Sequence, residues 1–274
     1  MDQAIQALCA EPARAGLLLD FDGVLSPIVA DPTTSRMADG ADQSLARIAH
    51  HLRVVAVVSG RPVEFLADRA GVPGLRLLGS YGVEELRDGV VTRHPGVTPW
   101  LAAVAEATSE LRAAVADLPG VRVEEKGGVA VAVHWRQALD QQAAQARVEH
   151  AVAAISERTG LRREPGKLVV ELRAPLSVDK GTAVRDLIAA NGLRTVAYAG
   201  DDLGDLPAFR ATIEAGGHAL LVDHGAETSD RLREIATRTV PGVPGFAAWL
   251  GELASELDRA TREVSARPGL PTVT

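Results

Sequence analysis

The chain has 274 residues, enough for one large domain or two joined ones. Apolar residues make up 46% and charged residues 24%, a globular rather than a disordered composition, and a single cysteine, Cys9, excludes an internal disulfide and a cysteine-rich zinc site. The formal charge of −7 speaks against a nucleic-acid partner, and no apolar run reaches the ~18–20 residues that span a membrane.

The opening, MDQAIQALCAEPARAG, lacks the basic-then-apolar order of a signal peptide, so a cytoplasmic setting is expected. Residues 16–21, GLLLDF, read as a first buried strand that runs into the turn Asp22-Gly23. A helix follows over 39–51, with Leu45, Ile48 and Leu52 at helical spacing. Residues 53–58, RVVAVV, form a second strand ending at Ser59-Gly60-Arg61. Pro62 suits the first turn of a helix reaching Arg69, and 75–78 form a third strand. Such alternation marks a parallel sheet covered on both faces.

The middle of the chain differs. Trp100, Leu101, Val104, Leu111, Val115 and Leu118 share one helical face. Residues 121–125 and 129–135 alternate as strands around Gly127-Gly128. An alanine-rich helix over 140–158 and strands over 161–164 and 168–172 complete an α+β module. Proline-containing stretches at 94–99 and 174–176 bracket it. The α/β pattern resumes with a helix over 177–191, a strand over 195–199, a helix over 206–214, a strand over 219–222, a helix over 231–237 and a last helix over 244–261. The tail 266–274 is expected to fray. The expected organisation is a discontinuous core, 1–96 and 176–274, with a cap inserted at 97–175.

In an open parallel sheet, ligands bind beyond the carboxyl ends of the strands. Three such ends are polar here: Asp20-Phe21-Asp22-Gly23, Ser59-Gly60-Arg61 and Gly200-Asp201-Asp202-Leu203-Gly204-Asp205. Lys180 begins a helix shortly before the last of them. Asp20, Asp22, Asp201, Asp202 and Asp205 converging on one rim would repel one another and call for a hard cation, and an oxygen-rich site suits Mg²⁺. Asp20 and Asp22, two apart in extended chain, lean to the same side. One can attack phosphorus, and the other can hand a proton to the departing oxygen and later take one from water. Mg²⁺ and Lys180 would neutralise the phosphoryl oxygens, and Ser59 would donate a hydrogen bond to one of them. A phosphate-binding P-loop and a G-x-G-x-x-G after the first strand are both missing.

DFDGVLSP, VVSGRP, the lysine of SVDKG and AGDDLGD resemble, in order, the four motifs of the haloacid dehalogenase-like phosphatases. The resemblance implies a Rossmann-like α/β core, Asp20 as nucleophile and Asp22 as acid/base. It also implies metal ligation by Asp20 and Asp201, and by the Asp22 carbonyl. Which of Asp202 and Asp205 touches the metal shell stays open.

Alternation in the middle module places Arg122, Glu124 and Lys126 on one strand face, His134 and Arg136 on another, and Glu171 and Arg173 on a third, each opposite apolar residues. This describes either a half-exposed sheet with solvated charges or a polar face that brackets the hydroxyls of a sugar. VEEKGGVAVAVHWR and GKLVVELRAPLSVDKG, with DFDGVLSPIVADP and AGDDLGDLPAF, are similar to trehalose-6-phosphate phosphatases. That resemblance implies disaccharide contacts from Glu124, Lys126, Arg136 and Glu171, with His134 nearby and Arg61 at the rim. The chain has three lysines, Lys126, Lys167 and Lys180, and two of them fall on these sites. Two positions depart from the family: Val24 where threonine is usual and Tyr81 where histidine is frequent.

The expected activity is Mg²⁺-dependent hydrolysis of trehalose 6-phosphate through an aspartyl-phosphate, by a monomer acting on a small sugar phosphate. The alternatives are another sugar-phosphate phosphatase (sucrose, glucosylglycerol or mannosylglycerate phosphate), a non-catalytic sugar-phosphate-binding partner of a synthase, and a phosphomutase.

Overall fold

Leu17, Leu18 and Leu19 cannot all point the same way in a strand, so the first strand needs cover on both faces. The computed structural model, which describes residues 2–29, 31–166 and 168–265, supplies it. In chain order the elements are α1 (Gln3–Ala10), β1 (Ala15–Leu19), α2 (Ala41–Ala49), β2 (Val54–Val58), α3 (Val63–Ala70), β3 (Leu75–Gly79), β4 (Glu84–Arg87) and β5 (Val90–Arg93). Then come α4 (Leu101–Ala114), β6 (Arg122–Lys126), β7 (Ala130–His134), α5 (Gln141–Thr159), β8 (Arg162–Gly166) and β9 (Val169–Arg173). The chain closes with α6 (Lys180–Asn191), β10 (Thr195–Gly200), α7 (Leu206–Glu214), β11 (His218–Asp223), α8 (Asp230–Ile235), β12 (Arg238–Pro241) and α9 (Gly242–Ser265). Two compact units result, one built from the chain up to Val91 and from Val178 onward, the other from Thr92–Ser177.

The first unit carries an eight-stranded sheet in the order β12-β11-β10-β1-β2-β3-β4-β5. The six strands from β12 to β3 are parallel, so their carboxyl ends lie along one edge. Odd-numbered Leu17, Leu19, Val55 and Val57 pack with α1, α2 and α9, whose Ile5, Leu8, Leu45, Ile48, Phe246 and Leu250 are buried. Even-numbered Leu18, Ala56, Val58 and Tyr198 pack on the other face against Val184 and Leu187 of α6 and Phe209 of α7. A capping box opens α6: the Thr182 N–H donates to Asp179 Oδ1 at 2.8 Å, and the Asp179 N–H donates to Thr182 Oγ1 at 2.9 Å. It fixes Lys180 as the first helical residue.

The inserted unit is an antiparallel sheet in the order β6-β7-β9-β8. Val131, Val133, Val170 and Leu172 point to one face and bury against Val104, Ala107 and Leu111 of α4 and Val148, Val152 and Ile155 of α5. The unit runs over Thr92–Ser177, where the expected insertion was 97–175.

Several elements differ from the expectations. The helix expected over 231–237 stops at Ile235, and Arg238–Pro241 instead extends the sheet as β12 beside β11. The helix α1 and the hairpin β4–β5 were not anticipated. The hairpin turn is Asp88-Gly89, with φ of 51° and 78°. An Asp-Gly pair with both φ positive is the turn that matches strand twist, so its signal was present. Strand β7 ends at His134, so Arg136 lies in the turn beyond it. The tail 266–274 lies outside the described residues, as does Lys167. Among the described residues no helix is long and apolar enough to cross a membrane.

Candidate active site

The carboxyl ends of β1, β2, β10 and β11 set the site. Asp20 follows β1 directly, and its N–H donates to the Ala199 carbonyl at 2.9 Å, continuing the ladder with β10. One Asp20 oxygen accepts the Phe21 N–H at 2.7 Å. The other lies 2.7 Å from the Lys180 ammonium. Lys180 is 4% exposed and also reaches Asp205 Oδ1 at 2.7 Å. Asp205, fully buried, accepts the Tyr198 hydroxyl at 2.7 Å on that same oxygen and the N–H groups of Asp201 and Asp202 at 2.9 and 3.2 Å on the other. The acceptor capacity of this carboxylate is used up. Its four partners lock the lysine, the strand and the acidic loop together.

The electrostatics follow from burial. Desolvation raises the Asp20 pKa to about 7, against the pull of Lys180. Asp201 is pushed up to about 9 by burial and by the neighbouring charges of Asp20, Asp205 and Asp202. Burial alone would lower the Lys180 pKa, but Asp20 and Asp205 outweigh it and hold the ammonium charged. Oxygens of Asp20, Asp202 and Asp205 lie within 4.8 Å of one another, a crowding that a divalent cation relieves. Asp201 stands outside that triplet. Its carboxylate lies against Gly23, where a Cβ would come within 2.1 Å of Asp201 Oδ2. Gly23 also has a φ of +76°, so glycine is required there twice over.

Asp22 is held by the second strand's turn. Arg61 Nε donates to Asp22 Oδ2 at 2.6 Å and Arg61 Nη2 to Oδ1 at 2.9 Å, while the Ser35 hydroxyl reaches Oδ1 at 3.1 Å. Ser59 is buried, and its hydroxyl accepts the Arg61 N–H at 3.4 Å. The Ser80-Tyr81 turn pins this loop from behind. Both residues have positive φ, and their N–H groups donate to the Arg61 and Ser59 carbonyls at 2.8 Å. The Tyr81 ring covers Gly60, and Val24 is buried in the core.

His224, just past β11, escaped the sequence reading. Its Nε2 lies 2.8 Å from the Gly23 carbonyl and 3.8 Å from Asp201 Oδ2, tying the loop after β1 to the loop after β10. A polar residue at the carboxyl end of a parallel strand was the signal that could have found it. Tyr198, inside an apolar strand, gave none.

The inserted unit brings its own predicted residues together. The register places Glu124 opposite Ala132, and Ala132 opposite Glu171, on the face away from α4 and α5. His134 Nε2 lies 2.9 Å from Glu124 Oε2. Lys126 forms an ion pair with Glu171 Oε2. Glu171 is 8% exposed, and its Oε1 is buried with no hydrogen-bond partner among the described residues. Glu164, opposite Glu171 on β8, was not anticipated, and it accepts from Arg173 at 3.1 Å.

A parallel sheet whose strand ends carry a lysine-held aspartate and an acidic loop, interrupted by an α+β module, is the haloacid dehalogenase-like fold. The trehalose-phosphatase family model matches residues 18–235, and the chain belongs to that family. It is 33% identical over 250 residues to the trehalose-phosphate phosphatase of Mycobacterium marinum, covering 89% of this chain and 62% of that protein. The Mycobacterium avium counterpart is 36% identical over 253 residues, covering 89% and 63%. A Mycobacterium tuberculosis protein described as an uncharacterized glycosyl hydrolase is 35% identical over 260 residues, covering 91% of this chain and 19% of that one. The chain thus spans less than two thirds of the length of these relatives. Among solved structures, a trehalose-6-phosphate phosphatase related protein superposes with a TM-score of 0.73 at 24% identity, covering 88% of this chain and 97% of that one. The C-terminal domain of Candida albicans trehalose-6-phosphate phosphatase gives 0.71 at 21%, covering 92% and 95%. These two likenesses concern the fold.

Proposed function

We propose that the protein hydrolyses trehalose 6-phosphate to trehalose and phosphate. The observation that carries this reading is the buried Lys180 between Asp20 and Asp205 at the strand ends of a chain of this family. Asp20 attacks phosphorus in line with the sugar oxygen. The bond from phosphorus to that oxygen breaks as Asp22 gives the oxygen a proton, and the phosphoryl group rests on Asp20. Asp22, now ionised, takes a proton from water, whose oxygen attacks phosphorus and returns Asp20 as carboxylate. Lys180 and the Ser59 hydroxyl hold the phosphoryl oxygens. Asp205 keeps Lys180 aimed at the site.

Asp20, Asp201 and the Asp22 carbonyl, with Asp202 or Asp205 beside them, would hold a divalent cation, and Mg²⁺ suits an all-oxygen set. When bound, the cation supplies charge neutralisation at the phosphoryl oxygens. The polar face of the inserted sheet supplies the sugar contacts through Glu124, Lys126, His134 and Glu171, joined by Arg136 from the turn after β7. The unpaired Glu171 Oε1 supports this, because a buried carboxylate oxygen without a donor is costly and a sugar hydroxyl satisfies it. The protein works in the cytoplasm, in trehalose biosynthesis. The test is phosphate release from a panel of sugar phosphates, with and without Mg²⁺. Release from trehalose 6-phosphate above all others, abolished by chelation, is expected. A phosphate that moves to another sugar position without entering solution contradicts it.

A further inference from the structure

We propose that Arg61 is the positioning residue for the acid Asp22, so that it governs how well the protein expels basic leaving groups. The proposal rests on the phosphatase reading above. The guanidinium meets both Asp22 oxygens with two parallel hydrogen bonds, at 2.6 and 2.9 Å. A fork of this kind fixes the plane of a carboxylate as well as its place, which a single ammonium does not. Arg61 is itself held. Its guanidinium lies 4.6 Å from the Phe65 ring centroid, and Phe65 stands edge-on to Phe21 at 5.9 Å. Phe21 is the residue between Asp20 and Asp22, so the arginine is packed on the segment that carries both carboxylates. Its backbone is fixed as well, with the N–H on the Ser59 hydroxyl at 3.4 Å and the carbonyl on the Ser80 N–H at 2.8 Å.

Asp22 needs such a partner. Asp20 sits at the end of a buried strand, 5% exposed, with Lys180 upon it. Asp22 lies beyond the strand, ahead of the left-handed Gly23, and its side chain is 34% exposed. Proton delivery requires the carboxyl within hydrogen-bond reach of the departing oxygen, and small misplacements are expensive in rate. Arg61, from the turn after β2, and Ser35, further along the β1–α2 connection, supply that constraint. The arginine therefore acts through Asp22 and not by holding phosphate.

Leaving-group dependence separates the two roles. A nitrophenolate leaves without a proton, whereas a phenolate leaves better with one. The probes are 4-nitrophenyl phosphate and phenyl phosphate, of similar shape, in the full chain with Mg²⁺. The quantity read is kcat/KM, which ends at the first phosphoryl transfer. Replacing Arg61 by Met keeps an unbranched stem over Phe65 and removes the fork. It is expected to lower kcat/KM for phenyl phosphate by about 10²-fold, the scale of general acid catalysis, and for 4-nitrophenyl phosphate by no more than about threefold. Arg61→Lys, which also serves if Arg61→Met does not fold, should show the same ranking with a smaller gap. Equal losses on both substrates, or no loss on either, overturn the proposal. A wild-type chain that releases phosphate from neither substrate defeats the phosphatase reading itself and is recognised before any variant is made.

Discussion

Replacing Gly23 with alanine tests the geometry of the acidic rim in one step. Two costs are built into that position. The φ of +76° places a residue with a Cβ in the left-handed region, at about 1–2 kcal/mol. The new methyl would also lie 2.1 Å from Asp201 Oδ2 and 2.3 Å from its Cγ. Returning the oxygen to ordinary contact at 3.4 Å requires a shift of roughly 1.3 Å. Displacement of an active-site group by about 1 Å can cost ~10²-fold in rate. Gly40 provides the control. It has the same φ of +76°, but a Cβ there meets nothing within 4 Å. Gly40→Ala therefore carries the backbone strain alone. Gly40→Ala should lose about 1–2 kcal/mol, read as a fall in Tm of about 2–8 °C for a protein of this size, and Gly23→Ala more than that because of its added clash. Gly23→Ala alone should lose about 10²-fold in kcat/KM for phosphate release, with a higher Mg²⁺ concentration needed for half activation. If Gly23→Ala keeps full activity and full response to Mg²⁺, Asp201 does not have the role assigned to it.

Two further outcomes follow from the electrostatics and from the inserted sheet. Asp20 and Asp201 keep their protons to about pH 7 and about pH 9 in the fold, far above the ordinary carboxyl value, so the folded chain binds more protons than the unfolded one across that window. Without divalent cation, stability should fall as pH rises above about 4, the Asp20 contribution ending near pH 7 and the Asp201 contribution near pH 9. Mg²⁺ should restore more of it near the top of that range than near the bottom. Thermal melts in chelator across this range check it, and a flat or rising profile contradicts the crowding. Glu171→Ala leaves Lys126 without its partner on β9 and removes the unpaired oxygen. It should weaken trehalose 6-phosphate cleavage by at least about tenfold, on the scale of a lost hydrogen bond to a charged group, and barely change 4-nitrophenyl phosphate cleavage. Equal losses on the two substrates count against a sugar-binding face.

The core was legible because a parallel sheet leaves two marks in sequence. Its central strands are apolar runs, and its chemistry gathers where those runs stop. GLLLDFDG and RVVAVVSG carry both marks, and so does TVAYAGDD. The inserted sheet was legible from partial alternation over 121–125 and 129–135, and in the structure Val131 and Val133 pack on the helices while Glu124 lies opposite Ala132. What escaped depends on pairings that no local pattern encodes. Arg61 and Asp22 are 39 residues apart, and the sequence suggested sugar contact for one and proton transfer for the other. Tyr198 sits at a core position, and only the tertiary fold shows its hydroxyl reaching Asp205. The short strand β12 reads as polar coil until it pairs with β11, because tertiary pairing overrides weak local propensity there. Ser80 and Tyr81 adopt positive φ that their residue types do not announce.

The nucleophile is tested most directly by catching it loaded. Wild-type chain mixed with trehalose 6-phosphate and Mg²⁺, quenched in acid within one turnover and digested, should yield a peptide containing Asp20 heavier by one phosphoryl group. The same treatment of Asp20→Asn should yield neither that peptide nor released phosphate. Phosphate release by Asp20→Asn at the wild-type rate, or a phosphoryl group found on another side chain, would contradict the account.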